Sequence, residues 1–202
     1  MNIVFDIGNV LLSFRPREYL MDLFGDSEMV DLYHKMVFGS SLWLDLDRGV
    51  TDEAEVILRL SACHPEHTLE IKQVFANWYS LLRPIEITVN LLYELKAKGH
   101  RLYALSNFHR EAFDHVREQY QWLRLFDGMV ISYEINSHKP EPKIYQTLIH
   151  RYGLNPHQSV FIDDITMNLT AAEEFGFKTI KCTSPEALAR DLSQLLAETT
   201  DI

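Results

Sequence analysis

The chain opens on a short apolar run that ends in an acid. Residues 2–6, Asn-Ile-Val-Phe-Asp, are β-branched and aromatic, and Gly8 and Asn9 follow. An apolar run of this length closed by turn residues predicts a buried strand with a polar group at its carboxyl end. From Pro16 to about Leu82 the spacing becomes helical. Tyr19, Leu20, Leu23 and Phe24 recur at helical intervals, as do Met29, Val30, Tyr33 and Val37, and Ile71, Val74, Phe75 and Trp78. Thr51 before Asp52, Glu53 and Glu55 predicts an N-cap with an acidic first turn. No strand pattern interrupts this stretch, so it reads as an all-helical block.

From Pro84 the patterns alternate. Helices are predicted over 84–98, 110–121, 141–152, 168–175 and 185–197, with Gly99 and Gly153 closing the first and third. Strands are predicted over 101–106, 128–132, 160–162 and 177–181. Strands alternating with helices imply a parallel sheet with helices on both faces. The tail Thr199–Ile202 is expected to fray.

In an open parallel sheet, ligands bind beyond the carboxyl ends of the strands. The polar residues predicted there are Asp6, Ser106 with Asn107, Lys139 after the 128–132 strand, and Asp163 with Asp164. One acid at a strand end can be no more than a helix cap. Four ends carrying carboxylates, a hydroxyl and a lysine form a coherent set. Gathered carboxylates repel one another unless a cation neutralises them, and oxygen donors suit a hard ion such as magnesium. A metal, a lysine and a hydroxyl beside a free carboxylate are what an anionic phosphoryl group requires.

At these residues the chain resembles the haloacid dehalogenase-like hydrolases. The four motifs of that superfamily stand in order as Phe5-Asp6-Ile7-Gly8-Asn9-Val10, Leu105-Ser106-Asn107, Lys139-Pro140-Glu141-Pro142-Lys143-Ile144-Tyr145, and Phe161-Ile162-Asp163-Asp164 followed by Asn168. Their wording is most similar to a bacterial sugar-phosphate phosphatase branch, which includes alpha-glucose-1-phosphate phosphatases, and to the phosphatase domain of soluble epoxide hydrolases. The resemblance implies an α/β fold: a Rossmann-like parallel-sheet core, residues 1–13 and 83–202, with an inserted all-helical cap, residues 14–82. It implies a magnesium-dependent phosphatase acting on a small phosphomonoester, a sugar phosphate by preference, through an aspartyl phosphate on Asp6. Mg²⁺ would be held by Asp6, the Gly8 carbonyl and Asp164, with Asp163 and Asn168 supporting the acidic loop. Ser106 and the Asn107 amide would bind the phosphoryl oxygens, and Lys139 would balance the charge of phosphate and nucleophile.

One departure stands out. Most phosphatases of the superfamily carry a second Asp two residues after the nucleophile, where this chain has Gly8. His109 and His138 flank the second and third motifs and could stand in as the acid, although loop histidines of this kind are expected to be exposed. Trp43, Trp78 and Tyr79 could line a substrate pocket or serve as cap core. His64 and His67 form no metal pair, because Pro65 lies between them and no third ligand is near. Pro140 and Pro142 are expected to hold the Lys139 loop extended.

Two other functions remain open at this point. A 2-haloacid dehalogenase uses an Asp nucleophile without metal, but its fourth motif lacks the Asp-Asp pair. A non-catalytic binding protein that kept the fold is the other. The 202 residues carry 19 basic and 29 acidic side chains, a formal net charge of −10. That balance disfavours nucleic acid as a partner. No apolar stretch approaches the roughly 20 residues that a membrane helix needs, and no secretory leader is evident, so a cytoplasmic protein is expected. Cys63 and Cys182 are expected as buried free thiols. The oligomeric state stays open.

Overall fold

The structure, a computed structural model, describes the backbone of residues 1–200 and the side chains of residues 1–198. Five strands form one parallel sheet: β1 (Asn2–Phe5), β2 (Arg101–Ser106), β3 (Gly128–Ile131), β4 (Ser159–Asp163) and β5 (Lys178–Lys181). Their spatial order is β3-β2-β1-β4-β5. β1 is therefore central, with Phe5 level with Ala104 on one side and Ile162 on the other. The chain winds outward from β1 to β3, then returns to lay β4 against the other edge of β1. That reversal, between β1 and β4, opens a cleft at the carboxyl ends of the strands.

Strand periodicity explains the core. Alternate residues face opposite sides of a sheet. Ile3 and Phe5 join one apolar cluster with Leu102, Ala104, Ile131, Val160 and Ile162. Val4 joins the other with Tyr103, Leu105, Val130 and Phe161. Both faces of β1 are fully buried, which is why its sequence reads as a continuous apolar run rather than as an alternating one.

Between residues 16 and 81 only helical elements occur, among them a π-helical turn at His34–Phe38. The apolar cluster on the Phe5 face continues without a break into this block through Leu11, Leu12, Val37, Leu46 and Trp78. The turn Asp47-Arg48-Gly49 is where the block meets the Lys139 loop. Arg48 pairs with Glu141, and Asn136 Nδ2 donates to the Arg48 carbonyl at 2.8 Å. Gly49 sits at φ +67, and a Cβ there would lie 2.6 Å from the Tyr133 carbonyl oxygen. Only glycine meets both demands.

Local features depart from expectation in four places. Asp52, not Thr51, caps the helix Glu53–Cys63, its carboxylate accepting the Glu55 N–H at 2.8 Å. Ser132 belongs to a short helix, Ser132–Ile135, rather than to β3. Pro142 opens the helix Pro142–Tyr152, where its missing N–H costs nothing, so the extension it imposes is confined to Glu141 before it, at φ −65 and ψ 138. Cys63 is exposed at its helix end, while Cys182 is buried. The expected fraying at 199–202 lies in part outside the described residues; the last helix runs from Pro185 to Thr200.

Candidate active site

Four of the five strand ends deliver a part of the site. Asp6 follows β1, Ser106 ends β2, and Asp163 ends β4 with Asp164 after it. Lys139 arrives from the loop after β3 and is 3% exposed. Its Nζ lies 2.8 Å from Asp6 Oδ1 and 2.7 Å from Asp163 Oδ2, bridging the two carboxylates. Asp6 Oδ1 also accepts the Ser106 hydroxyl and the Ile7 N–H, both at 2.7 Å. Among the described residues no donor reaches Asp6 Oδ2. One oxygen of Asp6 is thus held by three donors, and the other is free.

Asp163 is differently engaged. Its Oδ2 takes Lys139 and its Oδ1 takes the Ile165 N–H at 2.8 Å, while Asn168 Nδ2 donates to both oxygens at 3.1 Å. Among the described residues Asn9 is the one side chain that donates to Asp164, through Nδ2 to Oδ2 at 3.2 Å. The Asn107 side chain is committed to Lys139: Oδ1 accepts its N–H at 2.8 Å and Nδ2 donates to its carbonyl at 3.1 Å. Asn107 therefore fixes the lysine's backbone, and its own N–H and the second Nδ2 proton remain to offer a ligand.

Burial governs the titration here. It pushes Asp6 up to about 7, against the pull of Lys139 and with the help of Asp163. Asp164 is raised for the same reason, burial first and Asp163 second. Burial alone would depress Lys139, but Asp163 and Asp6 outweigh it and raise the ammonium's pKa. Three carboxylates and one ammonium leave the site short of positive charge when the acids are ionised. Asp6, Asp163 and Asp164 each present a ligand atom within 4.8 Å of the others. An all-oxygen donor set of this charge fits a hard divalent cation.

His109 is not the exposed loop residue that its position suggests. It is 1% exposed, with Nε2 at 3.0 Å from Glu53 and Nδ1 at 3.6 Å from Asp47. The first is a hydrogen bond and the second an ion pair only. Burial works against its protonation, yet the two acids raise it to about 9. Glu53 also accepts Trp78 Nε1 at 3.0 Å and the Tyr79 hydroxyl at 2.8 Å. The sequence singles out neither Asp47 nor Glu53 as partners for a residue beyond β2; Glu53 looks there like an ordinary acid in a helix's first turn. His138 is likewise largely buried, its Nδ1 2.9 Å from the Lys139 carbonyl. Trp43 and Trp78 are both core and pocket, since they face a small cavity that Gly8 and Asn107 also line. His67 is paired with the Tyr33 hydroxyl through Nδ1 at 3.0 Å.

The profile of the haloacid dehalogenase-like hydrolases matches residues 1–176. A sesquiterpene phosphatase of Aspergillus oryzae is 27% identical over 194 residues, 96% of this chain and 95% of that protein. A D-ribitol-5-phosphate phosphatase of Bacteroides thetaiotaomicron is 25% identical, covering 89% of this chain and 90% of that one. A haloacid dehalogenase family enzyme of Bacteroides thetaiotaomicron, solved in complex with magnesium and inorganic phosphate, superposes with a TM-score of 0.69 at 23% identity, over 89% of this chain and 92% of that one. At that identity the likeness concerns the fold.

Proposed function

The chain belongs to the haloacid dehalogenase-like hydrolases, and from that premise we propose that it is a magnesium-dependent phosphatase of small phosphomonoesters, sugar phosphates by preference, working through an aspartyl phosphate on Asp6. The observation that carries this reading is the buried Asp6–Ser106–Lys139–Asp163 set at the sheet's switch point, with Asp164 beside it. We take residues 1–13 and 83–202 as the catalytic core and residues 14–82 as its cap.

Asp6, Asp164 and the Gly8 carbonyl would hold the magnesium ion, and Asp163, whose oxygens take Lys139, Ile165 and Asn168, would brace the acidic loop. When bound, the ion supplies positive charge to the phosphoryl oxygens. The chain's own groups do the rest. Ser106, Lys139 and the Ile7 N–H hold Oδ1 of Asp6 and so aim Oδ2 at phosphorus. Oδ2 attacks phosphorus, the P–O ester bond breaks, the departing alkoxide takes a proton from solvent to leave as the alcohol, and an acyl phosphate forms on Asp6. Lys139 balances the negative charge that gathers on the phosphoryl group, the Asn107 N–H binds its oxygens, and the Ser106 hydroxyl turns to them when it leaves Asp6 Oδ1. Water then attacks phosphorus, the bond from Asp6 Oδ2 to phosphorus breaks, the water's proton passes to solvent, and inorganic phosphate leaves with Asp6 restored as its carboxylate. A dehalogenase has no use for the Asp163-Asp164 pair, and Asp164, with Asn9 as its side-chain partner among the described residues, supports the phosphatase instead.

The test is phosphate release from a panel of sugar phosphates and p-nitrophenyl phosphate, with and without magnesium, beside halide release from 2-chloropropionate. Magnesium-dependent phosphate release alone is expected. Halide release that needs no metal would overturn the reading.

Gly8 leaves the position of the second Asp empty. No atom lies within 4 Å of a Cβ added there, and the backbone is not left-handed. Gly8→Asp should therefore fold like the parent. On alkyl phosphates, whose leaving groups need a proton, it is expected to raise turnover toward the roughly 10²-fold that general acids contribute. On p-nitrophenyl phosphate it should change little. A folded, magnesium-binding variant with no gain on alkyl phosphates would mean that another group already supplies the proton.

A further inference from the structure

The cavity beside the phosphate corner holds about 70 Å³, room for a few waters or a short leaving group. Gly8, Asn107, Phe14, Trp43 and Trp78 are among the residues that line it. The charged groups that line it are Asp47 and His109. His109 packs against both the Trp43 and Trp78 rings, with centroids at 5.3 and 5.0 Å, and the two indoles also touch each other. Its ring nitrogens face Asp47 and Glu53, both from the helical block. Arg48, the cation next to Asp47 in sequence, is turned away to Glu141. One imidazolium thus faces two carboxylates, and of these Asp47 is the one that lines the cavity. Glu53 is further satisfied by Trp78 and Tyr79. Asp47, 3.6 Å from Nδ1, makes no close hydrogen bond with the ring and keeps acceptor capacity for a ligand.

Resting on the phosphatase reading, we propose that His109 is a positioning residue that holds the Asp47 carboxylate in this pocket, and that Asp47 selects phosphate esters of neutral, hydroxyl-bearing alcohols against those of anionic ones. An ionised carboxylate only accepts hydrogen bonds, so a hydroxyl donor completes it. A leaving group with its own carboxylate meets like charge in a desolvated site. The aromatic walls take the C–H faces of the same alcohol. His109 is barely accessible itself and acts through the acid that it holds.

Two esters of equal chain length test this, 2-hydroxyethyl phosphate and phosphoglycolate. The parent enzyme is expected to favour the first by about tenfold or more in kcat/KM, the factor set by roughly 1.4 kcal/mol of discrimination. Asp47→Asn should bring the ratio toward one. His109→Gln should raise KM for 2-hydroxyethyl phosphate more than it lowers kcat, a loss of leaving-group binding rather than of chemistry. Inhibition by inorganic phosphate, which has no leaving group, reads the phosphate corner separately. Adding Asp47→Asn to His109→Gln should raise KM no further, since coupled residues are not additive. If His109→Gln fails to fold, Glu53→Gln replaces it and should raise the same KM, because it loosens the same ring. An unchanged ester ratio in Asp47→Asn, or fully additive KM effects, overturns the inference alone. A parent enzyme that releases phosphate from no ester overturns the proposed function, and this inference with it.

Discussion

Asp6→Asn should reduce phosphate release by at least about 10⁴-fold, on the scale of losing a covalent nucleophile. The amide oxygen can still accept from Ile7, Ser106 and Lys139, which hold Oδ1 in the parent, so the local structure should survive. The amide nitrogen that replaces the free Oδ2 cannot form an acyl phosphate. Stability should move in the opposite direction from activity. Burial raises the Asp6 carboxyl to about 7 from 3.8, so the metal-free folded state binds a proton that the unfolded chain releases earlier. A raised carboxylate weakens the fold as pH climbs between those two values, and the full effect is felt above the upper one. Asparagine removes that contribution. The variant should melt no lower than the parent at pH 8 without metal, and the difference should vanish at low pH. Melting curves at both pH values check this beside the activity assay; residual activity above one part in about a thousand would place the nucleophile elsewhere.

Lys139→Met carries the second large effect, here on folding as well as on turnover. Its ammonium is the bridge between Asp6 and Asp163 and is almost fully buried. Methionine fills much the same space and supplies no charge. Two carboxylates then face each other in a site that burial already makes hostile to them. Breaking a buried pair by removing one partner costs about 3–5 kcal/mol. For a chain of this size, that lowers the melting temperature by roughly 6–20 °C. Added magnesium should recover part of the loss, because a divalent ion can take over the neutralisation, but not activity. A metal-free variant that melts with the parent would show that the carboxylates are not ionised together.

How much of this was legible in the sequence depends on the range of the contact. Asp6, Ser106 and Asp163 stand out because each ends an apolar run, and a parallel sheet sets such ends side by side. Lys139 could be placed only because its loop follows another strand. The helical block was legible from spacing, but not its register against the core. His109 shows why. Its burial depends on Glu53, 56 positions earlier, and on Asp47, which no local pattern connects to it. A histidine after a strand with no visible partner looks solvent-exposed, because the cost of burying its charge is visible and the compensating acids are not. The N-cap turned on a smaller competition, in which Asp52 stands one residue nearer the helix than Thr51 and accepts from Glu55. Cys63 was expected inside because free thiols usually are, yet it falls on the outer face of its helix end.

The central claim is that Asp6 becomes phosphorylated during turnover. Acid quenching of the parent enzyme with a turned-over sugar phosphate and magnesium, followed by borohydride reduction and peptide mapping, tests it most directly. Reduction of an acyl phosphate converts the aspartate to homoserine. The account predicts homoserine at position 6, only when substrate and magnesium are both present, and none in Asp6→Asn. Steady turnover with an unmodified Asp6, or with the label on another residue, would contradict it.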